Sequence, residues 1–205
     1  MQRNQRPVGR PRQDQKAKPT KAVILEAATW LFLDQGYQSV SMDEVAKESG
    51  VTKATVYYYY ATKADLFTDA MVQMMIRIRG QIMNLLSGDQ PLRERLLNVA
   101  KSHLEATADL DINSFLKEAH EYLSGEQRQQ IKASEDSMYR VVEEKLARAM
   151  EKGEIPEGHP QLAAHAFVAL LSIGQYETSE QKRIISDVNE MAEQIVDFYW
   201  NGLNG

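Results

Sequence analysis

The residues best suited to chemistry lie between Ser41 and Phe67, in SMDEVAKESGVTKATVYYYYATKADLF, which combines hydroxyls, lysines and four consecutive tyrosines. These groups hold phosphates and read base edges; at this spacing none forms a nucleophile with its base. Ser41 precedes Glu44 by three residues and Thr62 precedes Asp65 by three. In each pair a hydroxyl suits a helix N-cap while the later carboxylate favours the same end. Gly50 suits the end of one short helix and Thr52 the start of the next. Two helices of about two turns joined across a glycine have the spacing of a helix-turn-helix.

Successive helix residues are about 100° apart, so Tyr57, Tyr58, Tyr59 and Tyr60 fan around the axis and cannot all be core. Val56 and Tyr60 share the face that would pack on the preceding helix. Lys53 and Tyr57 share a second face, and Ala54, Thr55 and Tyr58 a third. An apolar back, small or polar residues near the start and amines or hydroxyls at the flanks suit a helix entering the major groove. The same pattern also suits a helix whose tyrosines are half-buried at subunit contacts.

The order Gly36-Tyr37, then Gly50-Val51-Thr52-Lys53-Ala54-Thr55-Val56-Tyr57-Tyr58-Tyr59-Tyr60, then Lys63 resembles the N-terminal DNA-binding domain of the TetR family of transcriptional regulators. The resemblance spans residues 20 to 67 and departs at two places: Ala54 stands where glycine is frequent, and Tyr60 where phenylalanine is usual. The Tyr60 hydroxyl must therefore reach water or a partner. The resemblance implies an all-α fold, with a three-helix helix-turn-helix domain followed by a helical ligand-binding and dimerisation domain. It also implies a homodimer on a palindromic double-stranded DNA operator, a repressor role and release by a small-molecule effector. Ser41 and Thr52 would cap helices facing phosphates. Lys53, Tyr57 and Lys63 would hold phosphates; Ala54, Thr55 and Tyr58 would meet base edges, with Tyr59 on the flank.

The elements that must position these residues read as helices throughout. The first should run from Thr20 to Gly36 with Ile24, Ala27, Ala28, Leu31 and Phe32 on one stripe, the second from Met42 to Ser49, the third from Thr52 to Tyr58. Tyr37, Val40 and Val51 should plug the corners of their small core. A long helix from Thr62 to Leu86 would pack Leu66 and Phe67 on that core and Met74, Ile78, Ile82 and Leu85 elsewhere, which makes it a lever between two halves. Five more are expected: Leu92–Ala108, Asn113–Leu123, Glu126–Lys152, Pro160–Tyr176 and Lys182–Trp200. The division is a basic arm over 1–19, a DNA-binding domain over 20–67 and an effector and dimerisation domain over 68–205.

With 205 residues and 43% hydrophobic content the chain can bury a real core. It has no apolar run long enough to span a membrane, no apolar segment of a secretory leader and no cysteine, so a cytoplasmic protein is expected. The net charge of −5 is segregated: +4 through Lys63 and −9 beyond it. The basic end is the candidate polyanion contact. Within the arm, Gly9-Arg10-Pro11-Arg12 looks like an AT-hook core; Arg10 and Arg12 either enter a narrow minor groove or belong to a solvated basic tail.

The four histidines make no metal-binding spacing and no catalytic constellation stands out, so neither cofactor, metal nor enzyme activity is expected. Met74, Leu97, Lys101, Leu104, Phe115, His120, Tyr139 and Phe167 are the candidate effector pocket. The last two helices carry apolar stripes wider than one packing face needs. Leu162, Ala163, Ala166, Phe167, Leu170, Val188, Met191, Ile195 and Tyr199 are accordingly the candidate dimer interface, the alternative being that both helices are internal.

Overall fold

The computed structural model describes residues 18–107, 116, 118–176 and 184–204. Among these the secondary structure is entirely helical: α1 Thr20–Ser39, α2 Met42–Glu48, α3 Lys53–Tyr59, α4 Lys63–Leu85, α5 Leu92–Ala106, α6 Gly125–Glu151, α7 Pro160–Leu171 and α8 Val188–Asn204, with a 3₁₀ turn at Ser172–Gln175. Of the expected helix Asn113–Leu123, residues 116 and 118–120 are helical, 121–123 are a turn, and 113–115 and 117 lie outside the described residues.

The caps read from the sequence form. Ser41 and Glu44 make a capping box on α2, Thr62 and Asp65 another on α4, and the Thr52 hydroxyl accepts from the Thr55 amide. α2 ends at Gly50 with φ +67, where the Val51 amide donates to the Ala46 carbonyl at 3.0 Å, a Schellman closure. Gly36 interrupts α1. Its φ of 80° and ψ of 163° lie outside both the helical and the left-handed helical ranges, so the long helix breaks at the glycine as expected and a short helical segment follows to Ser39. The last helix starts later than expected, because Asp187 caps it by accepting from the Glu190 amide at 2.8 Å.

Two cores divide the molecule. The first gathers Ile24, Ala28, Leu31 and Phe32 of α1, Val45 of α2, Val56 of α3 and Leu66, Phe67 and Met71 of α4. Phe32, Tyr37 and Phe67 pack ring against ring, with centroids 5.0–6.0 Å apart. Ala119, Leu123 and Ile131 join this core from much later in the chain, and Met74 packs against it. The second core holds α5 to α8 with Leu86 at the end of α4, and Ile82 and Leu85 pack on it. α4 therefore does touch both halves, although Met74 belongs to the near half.

Tyr60 is 4% exposed, and its hydroxyl donates to Asp69 Oδ2 at 2.8 Å. Lys21 pairs with the same carboxylate at 2.8 Å. Burial pushes the Tyr60 phenol strongly up, and the bond to Asp69 adds to this. For Asp69, burial alone would raise the carboxyl, but hydrogen bonds from Lys21, Tyr60 and Gln73 outweigh it and hold the group below its usual range. Its contribution to stability is full above the unfolded carboxylate value near pH ~4 and is lost as pH falls through the lower folded value. Tyr60→Phe is expected to cost about 1 kcal/mol in urea unfolding at neutral pH. Asp69→Asn should flatten that part of an acid-unfolding profile.

Candidate nucleic-acid interface

α3 is a short helix held from behind. Val56 is fully buried in the first core and Tyr60 closes the end, which leaves Tyr57, Tyr58 and Tyr59 outside at 46%, 82% and 39% exposure. Lys53 and Ala54 are exposed with them, while Thr55 is half-buried. The Thr55 hydroxyl lies 2.8 Å from that of Thr52, so both belong to the cap as well as to the surface. Tyr58 and Tyr59 meet edge to face at 5.1 Å. Lys53 Nζ bonds Asp43 on α2 at 2.8 Å and lies 5.9 Å from the Tyr57 ring. That ion pair is solvent-exposed on both sides and weak, so a phosphate can take the ammonium over. Ser41 is exposed at the start of α2.

Lys63 is used differently from the expectation. Its ammonium donates to the carbonyls of Tyr37, Gln38 and Val40 at 2.9, 3.1 and 2.9 Å and lies 4.5 Å from the Tyr37 ring. An ammonium has three hydrogens, and all are spent inside the domain, fastening the start of α4 to the end of α1. Burial holds this amine below the usual lysine range, with Glu44 acting in the other direction. Arg10 and Arg12 lie outside the described residues.

The domain is joined to the helices beyond it by contacts that sequence reasoning did not find. Asp65 Oδ2 completes the α4 capping box, while its Oδ1 accepts from Gln127 Nε2 at 2.9 Å. Gln127 is itself the capping-box residue of α6, with its Oε1 accepting from the Ser124 amide at 2.9 Å. Tyr122 stacks on Tyr37 at 5.3 Å, and Glu118 borders Gly36. The Ser124-to-Gln127 spacing is a visible cap signal, but its partner 62 residues earlier has no local signature.

The candidate pocket residues are not brought together as one site. Met74 packs on the first core, and Leu97, Leu104 and Phe167 on the second. His120 is exposed, Phe115 lies outside the described residues, and Tyr139 stacks on His165 at 4.3 Å. Lys101 lies 3.5 Å from Glu193. The candidate dimer residues divide too. Ala163, Phe167, Met191, Ile195 and Tyr199 are buried in the chain's own second core, with the Tyr199 hydroxyl donating to the Ala163 carbonyl at 2.9 Å. Leu170 and Val188 pack against that core. Leu162 and Ala166 remain outward, and so do Ile173 and Phe198, the latter 72% exposed and missed because its neighbours dominate the helical stripe.

An exposed, cap-bounded helix propped by two others at the end of an all-helical chain defines a helix-turn-helix DNA-binding protein. A family model described as bacterial regulatory proteins, tetR family, matches residues 24–70, and a tetracyclin repressor-like C-terminal domain matches residues 89–173. Together they span well over half of the chain, and the protein belongs to the TetR family of transcriptional regulators.

The HTH-type transcriptional regulator YhgD of Bacillus subtilis is 28% identical over 152 residues, 73% of this chain and 79% of its own. The regulator FadR of Bacillus subtilis, solved with stearoyl-CoA, superposes with a TM-score of 0.71 at 20% identity, over 89% of this chain and 99% of its own. AibR, solved with isovaleryl coenzyme A and operator DNA, gives 0.64 at 23% identity, over 88% and 97%.

Lys63→Met is expected to lower the thermal midpoint and weaken binding to every DNA sequence alike, with the salt dependence unchanged. Lys53→Ala should instead reduce the slope of log affinity against log salt by about one. Equal slopes for both variants would remove this distinction between a positioning lysine and a phosphate-binding one.

Proposed function

We propose that this regulator binds a palindromic operator as a homodimer, with α3 of each copy in successive major-groove turns, and represses transcription until a small molecule releases it. The outward surface of α3 is the observation that carries this reading. Its core side is fully used, and Lys53, Ala54, Tyr57, Tyr58 and Tyr59 are left open to a ligand of the shape and charge of DNA. Ala54, Thr55 and Tyr58 read base edges; Lys53 and Tyr57 hold phosphates and set register. Such a protein works where genomic DNA is, in the cytoplasm.

The dimer forms through the outward residues of α7 and α8 and the turn between them, Leu162, Ala166, Ile173 and Phe198, instead of the stripe that packs internally. The effector acts on the second core, around Leu97, Leu104 and Phe167. Acyl-CoA thioesters are the first probes, because the fold relatives FadR and AibR were solved with them. Opening of that core moves α4 and α6, whose first turns are tied to each other through Asp65 and Gln127.

A salt-dependent gel shift with DNA from upstream of the protein's own gene tests the reading. The wild type should bind specifically. Thr55→Val should change the order of preference among operator variants, by ~1–3 kcal/mol where a base contact is lost. Phe198→Glu should yield a monomer with operator binding abolished. A protein with no sequence-specific binding, or a Phe198→Glu variant that stays dimeric and binds normally, would overturn the operator and dimer parts respectively.

A further inference from the structure

At the end of α4 the chain turns through Ser87–Pro91 into α5, beside the C-terminal end of α6, and the three segments enclose an open hollow of about 510 Å³. Arg95 of α5, Lys145 and Arg148 of α6 and Lys152 just beyond it all line this hollow, against Asp89 and Glu154. The lining is net cationic within the part of the chain that carries −9.

Two of the four cations are fixed in place. Arg95 Nη1 donates to the Leu86 carbonyl and Nε to the Gln90 carbonyl, each at 2.9 Å, and Lys145 Nζ bonds Ser87 Oγ at 3.0 Å. Glu154 is shared by Arg95 at 3.5 Å and Lys152 at 3.8 Å. The Arg148 guanidinium has no hydrogen bond or ion pair among the described residues. The negative end of the α6 dipole accounts for cations in its last turn. It does not account for Arg95 arriving from another helix, nor for a hollow between the two.

We infer that this hollow is a binding site for a phosphate-bearing anion with two or more negative charges. The Arg148 guanidinium offers the fork geometry that phosphate oxygens accept, Arg95, Lys145 and Lys152 add positive charge around it, and an anion relieves the repulsion among the gathered cations. The site lies at the far ends of α4 and α6, whose near ends are joined by Asp65 and Gln127. An occupant there clamps the pair at the end away from DNA. The site is separate from the apolar effector region and does not depend on the operator reading.

The test is calorimetric titration of the full-length protein, without DNA, with inorganic pyrophosphate at fixed ionic strength and with sulfate as control. Saturable binding of one pyrophosphate per chain, tighter than sulfate, is expected. The double variant Arg148→Ala, Lys152→Ala should weaken it roughly tenfold or more while lowering the anion-free thermal midpoint only slightly, through the lost helix-dipole and Glu154 contacts, since neither head group anchors a loop. Parallel titrations with ATP and coenzyme A distinguish a bare polyphosphate from a nucleotide: tighter binding of either means that the base or its sugar is also read. No saturable binding, binding no stronger than that of sulfate, or binding indifferent to the double variant overturns the assignment. Because no DNA is present, any of these results leaves operator binding standing.

Discussion

Three carbonyl oxygens at the kinked end of α1 converge on one ammonium, that of Lys63, and this contact fastens the start of α4, just after α3, to the end of α1. α3 is only about two turns long and buries few side chains of its own, so it cannot hold its angle by packing alone. Its neighbours must hold it. The kink at Gly36 returns Tyr37 to the core, where the ring lies on Phe32 and Phe67 and under the Lys63 ammonium. A side chain at position 36 would be strained at φ +80 and would press on Glu118. One glycine, one lysine and three rings thus fasten α1 to α4 around the shorter helices.

The same region carries the connection to the rest of the molecule. Asp65 uses one oxygen to cap α4 and the other to hold Gln127, which caps α6. Two helix starts are therefore linked side chain to side chain. Ala119, Leu123 and Ile131 extend the first core with residues from much later in the chain. Physically, the first core includes the early part of α6, although the chain reaches it only after α5.

Helix locations were largely legible because each signal was local. Serine and threonine caps, the glycine at the end of α2 and the stripe of Ile24, Ala28, Leu31 and Phe32 concern residues within one or two turns. Where a signal depended on partners, it misled. Met191, Ile195 and Tyr199 form a stripe that suits either a subunit interface or an internal core, and periodicity cannot tell the two apart. Packing against Phe167 and Ala163 makes them internal, and it leaves Phe198, one residue from the stripe, as the outward aromatic.

The amino-acid order alone determined an all-helical chain, a helix-turn-helix between Ser41 and Phe67, its TetR-like character and the separation of a basic end from an acidic remainder. Each of these is a short-range pattern or a simple sum of charges. Only the tertiary structure decided that Lys63 binds carbonyls, that Tyr60 meets Asp69, that Gln127 reaches Asp65 and that four cations gather at the far end of α4 and α6. These pairings depend on how helices far apart in the chain cross, and side-chain types at a given position leave that open.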